Sequence, residues 1–205
     1  MIAYNFNKVE CFNLGGGDVL KTRRSALRAM LNDSDRGVRQ AAATALDAVE
    51  AVADLDQLFA VLRNGERGQR IAAAFALERV NAPRVFPVLL ELLKSDDPDL
   101  RLVAVTVLGE KKHPKTVAAL VKMLDDPENG VQAEAARVLG GFSDRSLPES
   151  LAPLLQRDES VALAAVIAIG KLKFAEGESV LLTALRDKRS TVRAKAAEML
   201  GKLES

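Results

Sequence analysis

The chain repeats one short pattern about every 31 residues. The dipeptide Val38-Arg39 has five later counterparts: Gln69-Arg70, Leu100-Arg101, Val131-Gln132, Val161-Ala162 and Val192-Arg193. The second residue of each pair, called the anchor here, stands at 39, 70, 101, 132, 162 and 193, so the spacings are 31, 31, 31, 30 and 31. A period of this size indicates a stack of small structural units, each of which buries its apolar face against its neighbours.

Residues downstream of each anchor keep the same register. Three residues after the anchor, alanine occurs in every repeat: Ala42, Ala73, Ala104, Ala135, Ala165 and Ala196. Four residues further on, a large aliphatic side chain follows: Leu46, Leu77, Leu108, Leu139, Ile169 and Leu200. This spacing places the residues on one face of a helix. A small residue at a fixed point of that face predicts a place where two helices approach closely.

A second helix is predicted in each unit. Leucine pairs four residues apart follow the first helix at 58 and 62, 89 and 93, 120 and 124, 151 and 155, and 181 and 185. Glycines at 109, 140, 170 and 201 are expected near the C-terminus of the first helix, where a left-handed residue often ends a helix. Acidic residues and prolines, as in Asp96-Asp97-Pro98 and Asp125-Asp126-Pro127, are typical of helix starts. Each unit is therefore predicted to be helix–turn–helix.

The string Asp187-Lys188-Arg189-Ser190-Thr191-Val192-Arg193-Ala194-Lys195-Ala196-Ala197 resembles HEAT-like repeats of the phycobilisome-lyase type, over about residues 32–205. The resemblance implies an all-α fold, a right-handed α-α superhelix (a HEAT-like solenoid) of about six two-helix repeats of 30–31 residues. The repeats would begin at about 32, 64, 95, 126, 157 and 187. The chain has neither the Trp and Tyr signature of tetratricopeptides nor the Thr-Pro-Leu-His of ankyrin repeats.

The two ends depart from the repeat. Residues 18–31 are predicted to form an N-terminal capping helix of a solenoid spanning 18–205, and residues 1–17 form a non-repeat segment. A phosphate-binding loop is not expected at Gly15-Gly16-Gly17, because Leu20 stands where such a loop needs glycine before its lysine. At the C-terminus, Val192, Met199 and Leu203 are expected to be partly exposed. That exposure predicts a monomer or a weak end-to-end dimer.

Arginine occupies four of the six anchors, at 39, 70, 101 and 193, and an acidic residue precedes three of them by four positions. The periodicity favours a structural ladder in which the guanidinium groups bond turn carboxylates and helix ends. An array that binds an acidic partner is the alternative. Gln132 and Ala162 interrupt the pattern, which predicts a softer joint around the fourth and fifth repeats.

Composition and the scarcity of reactive residues exclude several function classes. The net charge of +1 gives no general electrostatic reason to bind nucleic acid or an anionic membrane. The single cysteine, Cys11, cannot form an internal disulfide, and no signal peptide or 20-residue apolar run is present, so a cytoplasmic protein is expected. The single histidine, His113, is expected to be a surface turn residue. No catalytic, metal-binding or cofactor-binding residue is predicted. The metal-dependent deoxyhypusine hydroxylases, which are also HEAT-like, carry repeated His-Glu pairs, and none occurs here.

The candidate partner-binding surface is predicted on the second helices, which are expected to line the inner side of the solenoid. This predicted surface is small-residued and mildly apolar, with charged side chains at its borders. Its residues are Gln57, Val88, Glu91, Ala119, Lys122, Ser150, Pro153, Val180 and Thr183, and Ala60 lies beside them. One acid, one base and no aromatic ring disfavour DNA binding. The predicted function is a non-catalytic scaffold or adaptor for an unidentified protein partner. Two alternatives stay open: an accessory subunit of a bilin lyase acting on phycobiliproteins, and a HEAT-like DNA-binding protein.

Overall fold

The computed structural model describes residues 16–203. The chain divides into two compact units between Gln57 and Leu58, a point that lies inside one helix. The predicted segment 1–17 falls almost wholly outside the described residues, since the first helix begins at Gly16.

The first unit contains helix α1 (Gly16–Met30), close to the predicted capping helix, and most of helix α2 (Arg36–Asn64). Arg28 Nη2 donates to Glu50 Oε1 at 2.9 Å and ties α1 to α2. The helix–turn–helix predicted for the first repeat is wrong, because α2 runs through without a turn. The physical reason is local: residues 38–64 contain no glycine or proline that would end a helix.

The second unit continues the repeat in alternating helices. The first helices of its repeats carry the anchors and are α3 (Arg67–Ala76), α5 (Pro98–Lys111), α7 (Asn129–Leu139), α9 (Glu159–Leu172) and α11 (Ser190–Gly201). The second helices are α4 (Val85–Leu92), α6 (Val117–Lys122), α8 (Leu147–Leu151) and α10 (Ala175–Ala184). No β-strand occurs among residues 16–203. The prediction of an all-α HEAT-like solenoid is confirmed.

Each second helix is shorter than the first helix of its own repeat. Helix α6 lies between the 3₁₀ segments Pro114–Thr116 and Met123–Asp125, and α8 leads into the 3₁₀ segment Ala152–Gln156. Pro153 lies within the last of these segments, where its missing N–H cannot donate the bond that an α-helix requires. The 3₁₀ turns tighten the chain before it enters the next first helix.

The acidic turn residues cap helices as predicted. Asp97 Oδ1 accepts the backbone N–H of Asp99 at 3.0 Å at the start of α5, and Asp158 Oδ1 accepts that of Ser160 at 3.2 Å at the start of α9. At α3, Glu66 and Gln69 form a reciprocal capping box. Each cap satisfies a backbone donor that has no partner inside its helix.

The invariant alanine column forms the core between the helices. Ala104, Ala135, Ala165 and Ala196 are fully buried. The large aliphatic residues of the leucine column are equally buried at Leu77, directly after α3, at Leu108 in α5 and at Leu139 in α7. The register predicted from the sequence is confirmed by this burial.

The repeat glycines lie near the C-termini of the first helices as predicted, but they do not adopt the left-handed conformation there. Lys112 and Lys173 adopt the left-handed conformation that ends α5 and α9, with φ of 46° and 52°. Gly109 and Gly170 lie three residues earlier, inside the helices. A Cβ at Gly109 would be 2.5 Å from Cβ of Val138 on α7. Glycine is required there because neighbouring first helices touch.

The same close approach recurs one repeat further on and again at the last repeat. A Cβ at Gly140 would lie 2.8 Å from Cα of Ala168, and one at Gly170 would lie 2.7 Å from Cβ of Met199. We call these glycines sockets, since each receives the residue six positions after the next anchor. The sockets bring successive first helices of the second unit into near backbone contact.

Candidate functional site

The anchor arginines bond to the turn that precedes their own helix. Arg101 Nη1 donates to the carbonyls of Ser95 and Asp96 at 2.8 and 3.3 Å, six and five residues earlier. Arg39 and Arg193 each make the same two bonds at the same two offsets. Arg70 instead donates from Nε to the carbonyl of Leu62 at 3.0 Å.

Arg101 also bonds forward to the next repeat. Its Nε and Nη2 donate to the two carboxylate oxygens of Asp126 at 2.7 and 2.9 Å, and both side chains are buried. Hydrogen bonding to Asp126 raises the pKa of Arg101 and outweighs the opposing effect of burial. The two-pronged geometry is the strongest form of carboxylate pairing. These contacts favour the structural-ladder interpretation, because the bonded groups face the protein interior.

A softer joint was predicted at Gln132 and Ala162 because neither anchor is arginine. Other side-chain hydrogen bonds hold the turns in both repeats, so the reason for that prediction does not apply. Gln132 Nε2 donates to the carbonyl of Asp126 at 2.6 Å, again six residues earlier. Beside Ala162, which has no donor, Arg189 of the next repeat donates to the carbonyls of Arg157 and Leu155 at 2.7 and 2.5 Å. Both of these turns therefore keep a side-chain donor, although at Ala162 the donor comes from the next repeat.

Arg189 is itself held by a carboxylate. Its Nε and Nη2 donate to Asp187 Oδ1 and Oδ2 at 2.8 and 2.7 Å. The hydrogen bonds from Arg189, with only partial opposition from burial, lower the pKa of Asp187 to about 2. The pair stays ionised at neutral pH and fixes the guanidinium against the preceding turn.

The predicted partner-binding residues lie on the solvent side of the second helices. Glu91, Lys122, Pro153 and Thr183 are exposed, and the residues three positions before each of them are half-buried: Val88, Ala119, Ser150 and Val180. Gln57 and Ala60 on α2 are also exposed. Polar contacts of this stripe join residues three or four positions apart in the chain; Lys94 Nζ, for example, donates to Glu91 Oε2 at 2.8 Å. The predicted surface is accessible, and no contact in the described residues tests its role.

A second surface, absent from the sequence prediction, runs along the first helices. Thr106 Oγ1 on α5 donates to Glu134 Oε1 on α7 at 2.6 Å. Arg137 Nε and Nη2 donate to Glu134 Oε2 and Oε1 at 2.6 and 2.7 Å, and Arg137 Nη2 lies 4.0 Å from Glu110 Oε1. The cluster links neighbouring repeats and leaves Arg137 and Glu110 exposed.

The protonation state of this cluster is fixed by its own bonds. Partial burial raises the pKa of Glu134, but hydrogen bonds from Arg137 and Thr106 outweigh it, and the net effect is a lowered pKa. The hydrogen bond to Glu134 raises the pKa of Arg137 against the effect of burial. Both groups are therefore charged at neutral pH.

Apolar side chains flank the charged cluster. In the column five residues after the anchor, Phe75 is 45% exposed and Ile167 is half-buried, on either side of Thr106 and Arg137. In the column one residue after the anchor, the half-buried side chains are Ile71, Leu102, Ala133 and Leu163. Residues four apart share one face of a helix. We call these two columns, together with Glu110 and Glu134, the first-helix face.

The sequence carried a signal for the first-helix face. Its columns lie at fixed offsets from the anchors and contain large apolar residues outside the alanine and leucine core columns. The sequence pattern by itself does not show whether the first or the second helices carry the more accessible apolar columns.

His113 is half-buried at the start of a 3₁₀ turn. Its Nδ1 accepts the backbone N–H of Lys115 at 3.2 Å, and its ring lies 4.8 Å from that of Phe86. These contacts give His113 a structural role in the turn. Within residues 16–203, no group of His, Cys, Asp and Glu side chains converges as a metal site would require. None of the described helices combines the length and apolar character needed to cross a bilayer.

Solved structures that share the fold include the following three. The complex of CpcE and CpcF of phycocyanin lyase from Nostoc sp. PCC7120 aligns with a TM-score of 0.62 and 22% identity, over 73% of this chain and 64% of that one. The chain thus spans less than two thirds of that structure's length. YibA of E. coli aligns with a TM-score of 0.60 and 18% identity, over 94% of this chain and 77% of that one. An engineered protein aligns with a TM-score of 0.54 and 22% identity, over 89% and 96% of the two chains.

At these identities the likenesses concern the fold alone. No curated protein sequence matches the chain. The family of HEAT repeats matches residues 55–140, 86–159 and 150–205, which together cover residues 55–205, well over half of the 205-residue chain. With the two-helix repeat, the alanine core column and the anchor contacts in place, this match shows that the chain belongs to the HEAT repeat family.

Proposed function

We propose that this protein is a non-catalytic scaffold that docks a partner protein on its first-helix face. The observation that supports the proposal most directly is the exposure of Phe75 beside the half-buried Ile71 and Leu102. Aromatic residues exposed at the edge of an apolar patch are enriched at protein interfaces and often dominate their energetics.

The charged cluster supports a protein ligand over a lipid or nucleic acid. The carboxylates of Glu134 and Glu110 both lie near the guanidinium of Arg137. This group of three side chains therefore carries no net positive charge. Hydrogen bonds from Thr106 and Arg137 hold Glu134 in place before any partner arrives. Glu134 is thus a preorganised polar group between two apolar patches. Such a surface suits an amphipathic segment of a partner protein that has a polar residue between its apolar ones.

The second-helix stripe is the alternative docking surface. Its predicted residues, from Gln57 and Val88 through Glu91, Ala119, Lys122, Ser150, Pro153 and Val180 to Thr183, are all at least partly accessible. None of these residues is aromatic, and the hydrogen bonds that Glu91, Ser150 and Thr183 make are to residues three or four positions away in the chain. For these reasons we rank it second.

Affinity capture with matched variants tests the proposal. Phe75→Ala with Arg137→Ala would alter the first-helix face, and Glu91→Ala with Lys122→Ala would alter the second-helix stripe. Each variant and the parent protein would be used as bait in lysate of the source cells, and candidates would be confirmed with purified components. We expect at least about a tenfold loss of partner affinity in the first double variant only.

Circular dichroism of each bait would show whether the fold is retained. Loss of binding only in the Glu91 and Lys122 variant would move the site to the second helices. Equal affinity for all three baits would refute docking on both surfaces.

An accessory role in bilin attachment is a second candidate function. The support is the shared fold with the CpcE and CpcF complex of phycocyanin lyase. Under this hypothesis, captured partners would carry the visible absorbance of a covalently attached tetrapyrrole. Partners without any bilin absorbance would favour the general scaffold.

A further inference from the structure

We infer that a basic cleft between two neighbouring turns of the second unit binds an acidic segment of a partner protein. The turns in question join the first helix of a repeat to its second helix, and we call them hairpin turns. In chain order, the four hairpin turns are residues 78–84, 110–116, 141–146 and 171–176. The inference goes beyond the docking proposal, because that proposal concerns the exposed faces of the first helices.

The two kinds of turn differ in charge, although the whole chain is nearly neutral. The hairpin turns contain eight lysines and arginines and four acidic residues. The turns between repeats contain four lysines and arginines and nine acidic residues, and they are residues 94–99, 125–129, 156–160 and 187–190. Positive charge is therefore concentrated in the turns at one end of the repeat helices, and negative charge in the turns at the other end.

The hairpin turns lie side by side. Lys111 Nζ in the second hairpin turn donates to the carbonyls of Glu78 and Val80 at 3.0 and 2.8 Å, which ties it to the first. A cleft of about 510 Å³ lies between the second and third hairpin turns. The Arg145 guanidinium in the third turn lies 6.0 Å from the centre of the Phe174 ring in the fourth. The four turns therefore form one continuous edge of the second unit.

Two cations in the cleft have no carboxylate partner. Lys112 and Arg145 line it, both are exposed, and neither forms an ion pair with any residue in the range 16–203. Asp144 also lines the cleft, but it is already engaged, since its Oδ1 accepts the backbone N–H and the hydroxyl of Ser146 at 3.0 and 2.8 Å. The cleft thus has a net positive charge and offers two charged donors to a ligand.

Other cations near the turns are used within the fold. Lys111 holds two carbonyls of the preceding turn. At the turns between repeats, arginines pair with carboxylates, and these pairs are Arg67 with Asp97, Arg101 with Asp126, Arg157 with Asp125 and Arg189 with Asp187. The unpaired charges of Lys112 and Arg145 have no comparable structural role.

Lys112 occupies its position at a conformational cost. Its φ of 46° is in the left-handed region, which glycine adopts with less strain and which commonly ends a helix. Its side chain extends towards the third hairpin turn, because Lys112 Cε lies 3.9 Å from the place of a Cβ at Gly141. A residue that only ended α5 would not need this long cationic side chain, so we assign the ammonium group to ligand binding.

The chemistry of the edge favours an acidic protein segment over nucleic acid. Val117 is half-buried in the wall of the cleft and offers an apolar contact beside the cations. Glu110 and Glu176 interrupt the positive charge along the edge and would repel the uniformly charged backbone of a nucleic acid. Base stacking also lacks a platform in the hairpin turns, since Phe142 is buried and Phe174 is half-buried.

Fluorescence anisotropy of a labelled peptide of Glu-Glu-Leu repeats with the 205-residue protein tests the inference. We expect saturable binding that weakens as salt is added. Lys112→Gly with Arg145→Gln is expected to lower the affinity at least about tenfold. Glycine suits the left-handed backbone at position 112, so this double variant is expected to fold.

Arg157→Gln with Lys188→Gln is the matched control. It removes the same two positive charges from turns between repeats, and the affinity for the peptide is expected to remain unchanged. Equal losses in the two double variants would overturn the inference, because net charge and not the cleft would then control binding. Absence of peptide binding to the parent protein at about 1 mM would also overturn it.

Two further probes identify the class of ligand. A peptide of Lys-Lys-Leu repeats is expected not to bind, and equal affinity for it would refute recognition by charge. A single-stranded oligonucleotide that bound more tightly than the acidic peptide, and was lost in the Lys112 and Arg145 variant, would overturn the assignment to a protein ligand. Phe75→Ala with Arg137→Ala is expected to retain peptide binding, which separates this test from that of the first-helix face.

Discussion

At the scale of single residues, the ladder of side-chain donors along the turns explains why the anchor positions recur. An unpaired carbonyl at the end of a helix costs free energy when it is buried, and the anchor side chain satisfies two of them at once. Arg101 does this and also neutralises Asp126, so it joins two repeats. Gln132 retains one of these bonds without a charge. The anchor position therefore requires a side chain with a hydrogen-bond donor that reaches the backbone carbonyls of the turn.

Arg101→Ala is expected to destabilise the protein by about 3–5 kcal/mol, because it leaves the Asp126 carboxylate buried and unpaired. Arg157→Ala is the matched control. It removes an ion pair with Asp125 in which the two side chains are 47% and 80% exposed, and it is expected to cost less than about 1 kcal/mol. Urea denaturation of both variants measures the difference. Equal losses of unfolding free energy in the two variants would show that burial of the Arg101–Asp126 pair has no energetic consequence.

At the scale of helices, the spacing of the first helices depends on glycine. The sockets at Gly109, Gly140 and Gly170 let backbones meet where any side chain would separate them. In an isolated helix these glycines would be unfavourable by about 1 kcal/mol relative to alanine. Their presence at the contact shows that packing between repeats outweighs the intrinsic preference of each helix.

Gly140→Ala is expected to destabilise the protein by about 1–3 kcal/mol, since the new methyl group would lie 2.8 Å from Cα of Ala168, which belongs to the backbone and cannot rotate away. Gly130→Ala, in the first turn of α7, is the control. A Cβ there would meet nothing within 4 Å, so no loss is expected, and a gain of up to about 1 kcal/mol is allowed by helix propensity. Thermal unfolding of the two variants tests this, and a neutral Gly140→Ala would contradict the socket.

At the scale of the whole molecule, stability in a repeat protein is a sum of local units and the interfaces between them. Helix α7 packs between two neighbouring first helices, and its Val131, Ala135 and Leu139 are at most 1% exposed. Helix α11 has a first helix on one side only among the described residues, and its Leu200 is half-buried. Unequal burial predicts unequal local stability.

Amide hydrogen exchange is expected to be faster in α11 than in α7, because the terminal helix opens without disrupting a second interface. Mass spectrometry of peptides from the two helices would measure the rates at low protein concentration. Equal protection of α7 and α11 in dilute solution would show that the chain unfolds as one cooperative unit.

The sequence alone determined the repeat, the register and the fold family, because core columns such as Ala104 and Leu108 must recur wherever identical interfaces recur. It did not reveal that α2 is continuous, that Gly140 is a socket, that Arg189 substitutes at Ala162, or that Val192 and Met199 are buried instead of partly exposed. The last three depend on contacts between residues about 30 positions apart, in neighbouring repeats. The continuity of α2 has a local cause, the lack of glycine and proline in residues 38–64.

The candidate site, like the fold, could be predicted from the sequence only in part. Periodicity identified accessible columns on the second helices, but it could not rank them against the first-helix face. The bond from Thr106 to Glu134 and the exposure of Phe75 exist only once neighbouring helices are stacked. Local sequence determines which face of a helix is apolar, whereas only the tertiary structure determines which part of that face its neighbours leave open.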